Sequence, residues 1–201
     1  MTRQPVVIGL TGNIATGKST VGQMCTRWGA QHIDADRLAH QAIAKGTRTW
    51  ESIIAAFGAG IQAPGGEIDR ARLGAIVFSD ANALEQLERW VHPEVIARTQ
   101  TLIAGSKADV VVIEAIKLIE SGMVIQLCDV LWVVTAPREV QIQRLVDQRG
   151  LSHDEAALRV DAQPPQELKI ARADVIIDNG GSIQATKRQV KRAWAEIHAR
   201  Q

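Results

Sequence analysis

Residues 6–19 read VVIGLTGNIATGKS, and this stretch decides the fold. Its first part, VVIGL at 6–10, is apolar and rich in β-branched side chains, which is typical of a buried strand. Its second part, GNIATGKS at 12–19, fits the phosphate-loop pattern G-x-x-x-x-G-K-[ST]. Helical spacing follows over 18–28. A strand, a glycine-rich loop and a helix N-terminus in this order predict a nucleoside-triphosphate site.

The loop residues share one expected task, which is to surround phosphate oxygens with backbone N–H groups. Lys18 should reach the β and γ phosphates, and the Ser19 hydroxyl should ligate Mg²⁺, so ATP and Mg²⁺ are the expected cofactors. A glycine-rich turn that binds nothing is the alternative, and the strand before the loop and the helix after it argue against it. The expected nucleotide contacts are Gly12, Asn13, Ile14, Ala15, Thr16, Gly17, Lys18, Ser19 and Thr20.

The rest of the chain alternates short apolar runs with helical patterns. Continuous apolar strands between helices predict an α/β fold whose parallel sheet is covered on both faces. Helix 81–104 is expected to bend or break at His92-Pro93, and Ser152 with Glu155 forms a capping-box pattern. The further strands are expected at 31–33, 110–113, 130–134 and 175–177, and the further helices at 37–57, 70–78, 81–104, 138–149, after Ser152, and at 183–199.

Composition narrows the class of protein. The 201 residues suit one domain with a small insertion, and 23 Lys+Arg against 22 Asp+Glu give a net charge of +1. That balance lacks the basic excess of a dedicated nucleic-acid binder. The cysteines, Cys25 and Cys128, are far apart and predict reduced thiols. No apolar run is long enough for a signal peptide or a membrane span. We therefore expect a soluble cytoplasmic protein, and its oligomeric state stays open.

A phosphate loop alone leaves a GTPase, a motor ATPase and a small-molecule kinase open. The guanine-reading pattern Asn-Lys-x-Asp does not occur in the sequence, and the D-x-x-G match at 178–181 lies too late for a GTPase switch. Motor ATPases usually carry Asp-Glu after a hydrophobic strand, whereas VVVI at 110–113 is followed by the single acidic residue Glu114. A small-molecule kinase fits best.

Two carboxylates follow the second strand. Asp34 and Asp36 are expected at the carboxyl edge of the sheet, where open α/β sheets bind ligands. On an extended segment their i, i+2 spacing would direct both toward the phosphates. Asp36 is the expected base that orients the acceptor hydroxyl, and Asp34 is expected to support Mg²⁺ or its waters. The alternative is that Asp36 is an N-cap for a helix starting at Arg37.

Together, the loop and the segment around Asp34 and Asp36 resemble the dephospho-coenzyme A kinase family. The segments GLTGNIATGKSTV (9–21) and WGAQHIDADRLAHQ (28–41) are similar to the family's LTGGIGSGKS and IDAD. The similarity continues through Arg70, Val77-Phe78 and Val91-His92-Pro93. It resumes in RLVDQRGLSHDEAALRVDAQ (144–163) and ARADVIIDNGGS (171–182). It thus covers nearly the whole chain in order.

The resemblance implies a fold and an activity. The fold is the three-layer α/β P-loop nucleoside-triphosphate hydrolase fold, a five-stranded parallel sheet with a helical acceptor-binding domain and a lid. Its parts would be a core (about 1–36, 107–143 and 171–201), a helical insertion (about 37–106) and a lid (about 144–170). The activity is transfer of the ATP γ-phosphate to the ribose 3′-hydroxyl of dephospho-CoA, so dephospho-CoA is the expected acceptor.

The resemblance also implies roles for single residues. Arg144 and Arg149 would close over the phosphates as transition-state cations, although an arginine on an arbitrary helix is more often solvated. Arg159 and Gln163 are weaker lid candidates. Asn179 and Gly180 would lie near the adenine, or they form an ordinary strand-to-helix turn. The expected acceptor contacts are Asp34, Asp36, Arg70, His92, Lys117 and Glu120, and His92, as a lone histidine, is more often structural.

The chain departs from the family pattern at two places. The loop has Asn13 and Ala15-Thr16 where the family has glycine and Gly-Ser, and Ala15 needs a negative φ or is strained. Residues 114–122 read EAIKLIESG where the family commonly has D-V-P-L-L-F-E, which puts the identity of the acceptor in question. A P-loop kinase of another nucleotide or small alcohol, and a non-catalytic ATP-binding regulator, therefore stay as alternatives.

Overall fold

The structure, a computed structural model, describes residues 4–199. Within them, five strands are separated by single helices or by runs of helices, except that no α-helix lies between the third and the fourth strand. The strands are β1 (Val6–Thr11), β2 (Gln31–Asp34), β3 (Val110–Glu114), β4 (Val130–Thr135) and β5 (Val175–Asp178). The helices are α1 (Lys18–Arg27), α2 (Ala35–Ala42), α3 (Arg48–Phe57), α4 (Arg70–Val77), α5 (Ala81–Ala104), α6 (Arg138–Arg149), α7 (His153–Asp161), α8 (Glu167–Ile170) and α9 (Ile183–Ala199).

The strands form one parallel sheet in the order β2-β3-β1-β4-β5. The predicted α/β class and five-stranded parallel sheet are confirmed. Because β1 is central, the loop that follows it leaves the sheet between β3 and β4, at the edge where parallel sheets bind ligands. This position fits the phosphate loop expected from the sequence.

The chain divides into two compact units. One contains the residues up to Asp34 together with those from Ile103 onward, and the other is Ala35–Leu102. In the first unit, apolar side chains of the sheet pack against α1 and α9, with Leu10, Val21 and Trp132 fully buried. In the second, a separate helical cluster forms around Ile53 and Leu73. The division into core, acceptor-binding insertion and lid is a functional one and stays a prediction.

Helix α5 bears on one expectation. The sequence predicted a bend or a break at Pro93; the helix runs through Pro93 without a break, and the bend stays a prediction. A proline inside a helix removes one hydrogen bond and costs about 3 kcal/mol. Val95 and Thr99, two and six residues beyond Pro93, are completely buried, and this burial offsets the cost. None of the helices described between residues 4 and 199 is long and apolar enough to cross a membrane.

Candidate active site

The phosphate loop needs its glycines because other parts of the chain approach its backbone closely. Gly12 and Gly17 have positive φ values of 153° and 94°. A Cβ atom on Gly12 would lie 2.2 Å from the Val134 carbonyl oxygen, and one on Gly17 would lie 2.0 Å from Asn179 Nδ2. A side chain at either position would therefore collide with a neighbour and strain the backbone as well.

Ala15 takes the strained conformation that the sequence left as one of two outcomes. Its φ is +56°, and it is the one non-glycine residue with positive φ among residues 4–199. Such a conformation costs an L-residue roughly 1–2 kcal/mol. Ala15 packs against the apolar cluster formed by α6 and α7, which includes Ile142 and Leu145. Contacts around the loop thus hold it in a shape that its own sequence does not favour.

The Lys18 ammonium lies beneath the loop. The side chain is buried, and Nζ donates hydrogen bonds to the carbonyl oxygens of Gly12 at 3.0 Å and Asn13 at 3.1 Å. A buried cation next to backbone N–H groups and a helix N-terminus makes this part of the loop attractive to anions. The arrangement therefore suits the phosphate binding expected of the motif.

Ser19, Glu114 and His32 form a connected polar chain beside the loop. The Ser19 hydroxyl donates to Glu114 Oε1 at 2.9 Å, and His32 Nε2 lies 3.0 Å from Glu114 Oε2. Burial raises the pKa of Glu114, but hydrogen bonds from His32 and Ser19 and the charges of His32 and Lys18 outweigh it. The net result is a pKa below the ordinary value. Glu114 is therefore ionised at neutral pH.

Glu114 and His32 were absent from the sequence-predicted site. The position of Glu114 at the end of an apolar strand was visible in the sequence. It indicated only that the chain is not a motor ATPase, and it did not identify Glu114 as a site residue. His32 carried no signal of its own. Its approach to Glu114 depends on the pairing of β2 with β3, which joins residues 82 positions apart.

Arg144 lies against the loop from α6. Its Nη1 donates to the carbonyl oxygens of Ala15 and Thr16, both at 3.1 Å, and its Nη2 donates to the Asn179 carbonyl oxygen at 2.6 Å. Burial lowers the pKa of the guanidinium. Arg149, five residues further along α6, is exposed. The two arginines thus differ in surroundings, although the sequence treated them as a pair.

Asn179 braces the same part of the loop from β5. Its side chain is buried, Nδ2 donates to the Thr16 carbonyl oxygen at 2.8 Å, and Oδ1 accepts from the Thr186 hydroxyl at 2.8 Å. The next residue, Gly180, has no room for a side chain, because a Cβ atom would lie 2.4 Å from Pro137 Cδ. Asn179 thus supports the shape of the loop.

The segment predicted as a lid touches the loop through polar contacts. Gln163 Oε1 accepts from the Ile14 N–H at 2.7 Å, and Asn13 Nδ2 donates to the Pro164 carbonyl oxygen at 2.9 Å. The predicted capping box at the start of α7 is confirmed, with Ser152 and Glu155 bonded reciprocally. Because Asn13 takes part in these contacts, one of the two loop departures has a structural use.

The two aspartates differ from the extended arrangement expected from their spacing. Asp34 ends β2, but α2 begins at Ala35, so Asp36 lies in the first turn of a helix. The premise of one extended segment is therefore wrong, and so is the alternative of a helix starting at Arg37. An acidic residue in the first turn is favoured by the helix dipole. Asp34 is exposed and Asp36 half-buried.

The expected acceptor contacts lie in different parts of the chain. Glu120 pairs with the buried Lys169 ammonium, which also donates to the Ile116 carbonyl oxygen at 3.0 Å, and Lys117 is exposed. In the helical unit, Arg70 Nη1 donates to His40 Nε2 at 2.8 Å. An arginine only donates, so His40 Nε2 is the acceptor of this bond. His92 is half-buried in α5.

Comparisons with known proteins agree with one another. A family model described as dephospho-CoA kinase matches residues 6–185. The dephospho-CoA kinase of Geobacter sulfurreducens is 44% identical over 193 residues, covering 94% of this chain and 98% of that protein. A solved structure of TT1252 from Thermus thermophilus has a TM-score of 0.82 and 34% identity, covering 96% and 98%. Dephospho-CoA kinase from Campylobacter jejuni has a TM-score of 0.66 and 30% identity, covering 95% and 96%.

Proposed function

The chain belongs to the dephospho-CoA kinase family, and from this premise we propose how its residues carry out the reaction. It transfers the γ-phosphate of ATP to the ribose 3′-hydroxyl of dephospho-CoA, which is the last step of coenzyme A biosynthesis. One observation carries the proposal. The phosphate loop holds a buried Lys18 and a Ser19 that is hydrogen-bonded to Glu114, and it lies within residues 6–185, which match the family model.

Phosphate binding is assigned to the loop and its lysine. Phosphate oxygens would replace the Gly12 and Asn13 carbonyls as partners of Lys18 Nζ, which is a short movement for a flexible side chain. Arg144 and Asn179 keep the carbonyls of Ala15 and Thr16 turned outward. The nucleotide contacts proposed are residues 12–20, together with Asn179 and Gly180 on the adenine side.

Mg²⁺ fits the donor set beside the loop. The Ser19 hydroxyl donates its hydrogen bond to Glu114 Oε1, so its oxygen lone pairs stay available to a hard cation. No group of three or more His, Cys, Asp or Glu suited to a metal occurs among residues 4–199. Mg²⁺ takes few protein ligands and otherwise binds water and phosphates, so one hydroxyl from the protein suits it. When bound, the ion would neutralise charge on the phosphates.

Asp36 is the proposed base for the acceptor hydroxyl. Phosphoryl transfer needs a group that orients the nucleophile and accepts its proton. Asp36 follows β2, the strand next to β3, at the carboxyl edge of the sheet. Asp34, which pairs in register with Glu114, is proposed to support the water around the ion.

Positive charge for the transition state is assigned to Lys18, Arg144 and Arg149. Cations spread over the transferring phosphoryl group supply most of the catalysis in such reactions. Arg144 adds its charge from behind the loop, and Arg149 adds its charge from an exposed position on the same helix. The acceptor contacts proposed are Asp34, Asp36, Arg70, His92, Lys117 and Glu120.

An acceptor panel tests the function. Purified protein with magnesium and ATP is incubated separately with dephospho-CoA, adenosine and a nucleoside monophosphate, and the products are identified by mass spectrometry. We expect coenzyme A from the first and no product from the others. Lys18→Ala should abolish the product, whereas Lys187→Ala, on the exposed face of α9, should not. Turnover of adenosine without coenzyme A would refute the assignment.

The compartment belongs to the same proposal. We assign the reaction to the cytoplasm, where thiols stay reduced. Both Cys25 and Cys128 are free, and burial raises the pKa of each thiol to about 12. Thiols of this kind suit a reducing environment.

A further inference from the structure

His32 projects toward the nucleotide site although the mechanism above gives it no task. It lies on β2 and pairs in register with Val112 of β3, and Glu114 is two residues further along β3. Alternate residues of a strand project from the same face, so His32 and Glu114 share one face of the sheet. Helix α1, which begins with Lys18 and Ser19, covers this face.

The hydrogen bonds in this chain have a defined direction. His32 Nε2 lies 3.0 Å from Glu114 Oε2, and a carboxylate oxygen accepts, so Nε2 is the donor of this hydrogen bond. Ser19 likewise donates to Oε1. Each carboxylate oxygen therefore has its own donor, and the carboxylate cannot rotate without losing one of the two bonds.

Gly22 provides the space for this arrangement. It lies in α1, one helical turn after Ser19, and a Cβ atom there would lie 3.1 Å from His32 Nε2 and 3.3 Å from Cε1. The φ of Gly22 is not in the positive range, so the helix does not need glycine for its backbone. Alanine there would favour the helix by about 1 kcal/mol. The glycine thus leaves room for the imidazole at a cost in helix stability.

We propose that His32 is a positioning residue for magnesium-bound ATP. Its Nε2–H holds Glu114 Oε2, so that Oε1 accepts the Ser19 proton and the Ser19 oxygen faces the phosphates with its lone pairs free for the ion. His32 touches neither the ion nor the nucleotide. It acts through Glu114, in the way that outer hydrogen bonds orient the groups that hold a metal.

This inference rests on the proposed function, since it assumes that Ser19 holds the ion. A purely structural role is the competing explanation, because the His32–Glu114 bond also ties β2 to β3. The two explanations differ in what they affect. A structural bond stabilises the fold and treats all nucleotides alike, whereas a positioning bond matters only when the ion is present.

Binding calorimetry separates them. The probe is a non-hydrolysable imido analogue of ATP, titrated into the protein once with excess magnesium and once with EDTA. For His32→Ala we expect about tenfold weaker binding of the magnesium form, within the range found for outer hydrogen bonds to metal sites. Binding of the metal-free form should not change. His32→Gln, whose amide N–H reaches about as far as Nε2, should bind the magnesium form nearly as the unmodified protein does.

Gly22→Ala gives a second test from the other side of the imidazole. It should raise helix propensity by about 1 kcal/mol, yet weaken binding of the magnesium form, because the new methyl crowds His32. His198→Gln, on the exposed face of α9, is the matched control and should change neither titration.

The outcomes are distinct. If His32→Ala binds the magnesium form as tightly as the unmodified protein, or loses both forms equally, the proposal is overturned. If the unmodified protein binds neither form, the proposed function fails and this inference fails with it. Binding by the unmodified protein with no difference among the variants overturns the role of His32 alone.

Discussion

Replacing Arg144 by alanine should destabilise the protein strongly, although the residue was expected from the sequence to act on phosphates. Its guanidinium donates three hydrogen bonds to carbonyl oxygens at 3.1, 3.1 and 2.6 Å. Hydrogen bonds to a charged group contribute about 1.5–3 kcal/mol each. The side chain is only half-buried, so water regains part of the loss. We expect a decrease of about 3 kcal/mol in the free energy of unfolding.

Thermal unfolding measures this decrease. In a protein of this size 1 kcal/mol corresponds to about 2–4 °C, so the melting temperature should fall by roughly 6–12 °C. Arg149→Ala is the matched control, because Arg149 lies on the same helix and is exposed. It should shift the melting temperature by no more than about 2 °C.

Arg144→Lys separates charge from geometry. Lysine keeps the positive charge but cannot reproduce the planar fork that spans the carbonyl oxygens of Ala15, Thr16 and Asn179. It should therefore recover less than half of the lost stability. Equal melting temperatures for Arg144→Ala and Arg149→Ala would refute the view that Arg144 holds the loop in shape.

Three further experiments, two substitutions and one thiol labelling, test other parts of the molecule. Asp36→Asn should leave ATP binding intact and lower turnover by about two to four orders of magnitude, as measured by product formation; near-normal turnover would leave Asp36 as a helix residue only. Ala15→Gly should not lower the melting temperature, because glycine relieves the positive φ, whereas Ala195→Gly on the exposed face of α9 should cost about 1 kcal/mol; equal losses would contradict the strain. Cys25 and Cys128, whose pKa values are raised to about 12, should stay protonated at pH 8 and react with a thiol reagent only after unfolding; fast labelling of the native protein would count against this.

Much of the fold was predictable because its signals are local. Each of these signals depends only on residues that are close in the sequence. Examples are the apolar run at β1, the glycines of the loop and the capping box at Ser152. The continuous α5 was not predictable from Pro93, because the burial of Val95 and Thr99 that offsets the proline depends on other segments. Local propensity decides an element only where packing does not override it.

The same distinction between local signals and long-range packing applies to the residues of the site. Lys18 and Ser19 could be predicted because the motif fixes their positions relative to the helix. Glu114 and His32 are brought together by strand pairing, and the position of Arg144 depends on how α6 packs on the loop. Neither the strand pairing nor the packing of α6 can be inferred from the spacing of residues in the sequence. From the sequence we could predict that an alanine at position 15 either has a negative φ or is strained. That the φ is positive, and which apolar contacts hold it there, could be seen only in the structure.

The position of the transferred phosphate tests the proposed reaction more directly than any other measurement. The protein is incubated with magnesium, ATP and dephospho-CoA, and the product is analysed by tandem mass spectrometry and phosphorus NMR. We expect one ADP for each coenzyme A formed, with the new phosphate on the ribose 3′-hydroxyl. ADP formed without coenzyme A, or a phosphate on another hydroxyl, would contradict it.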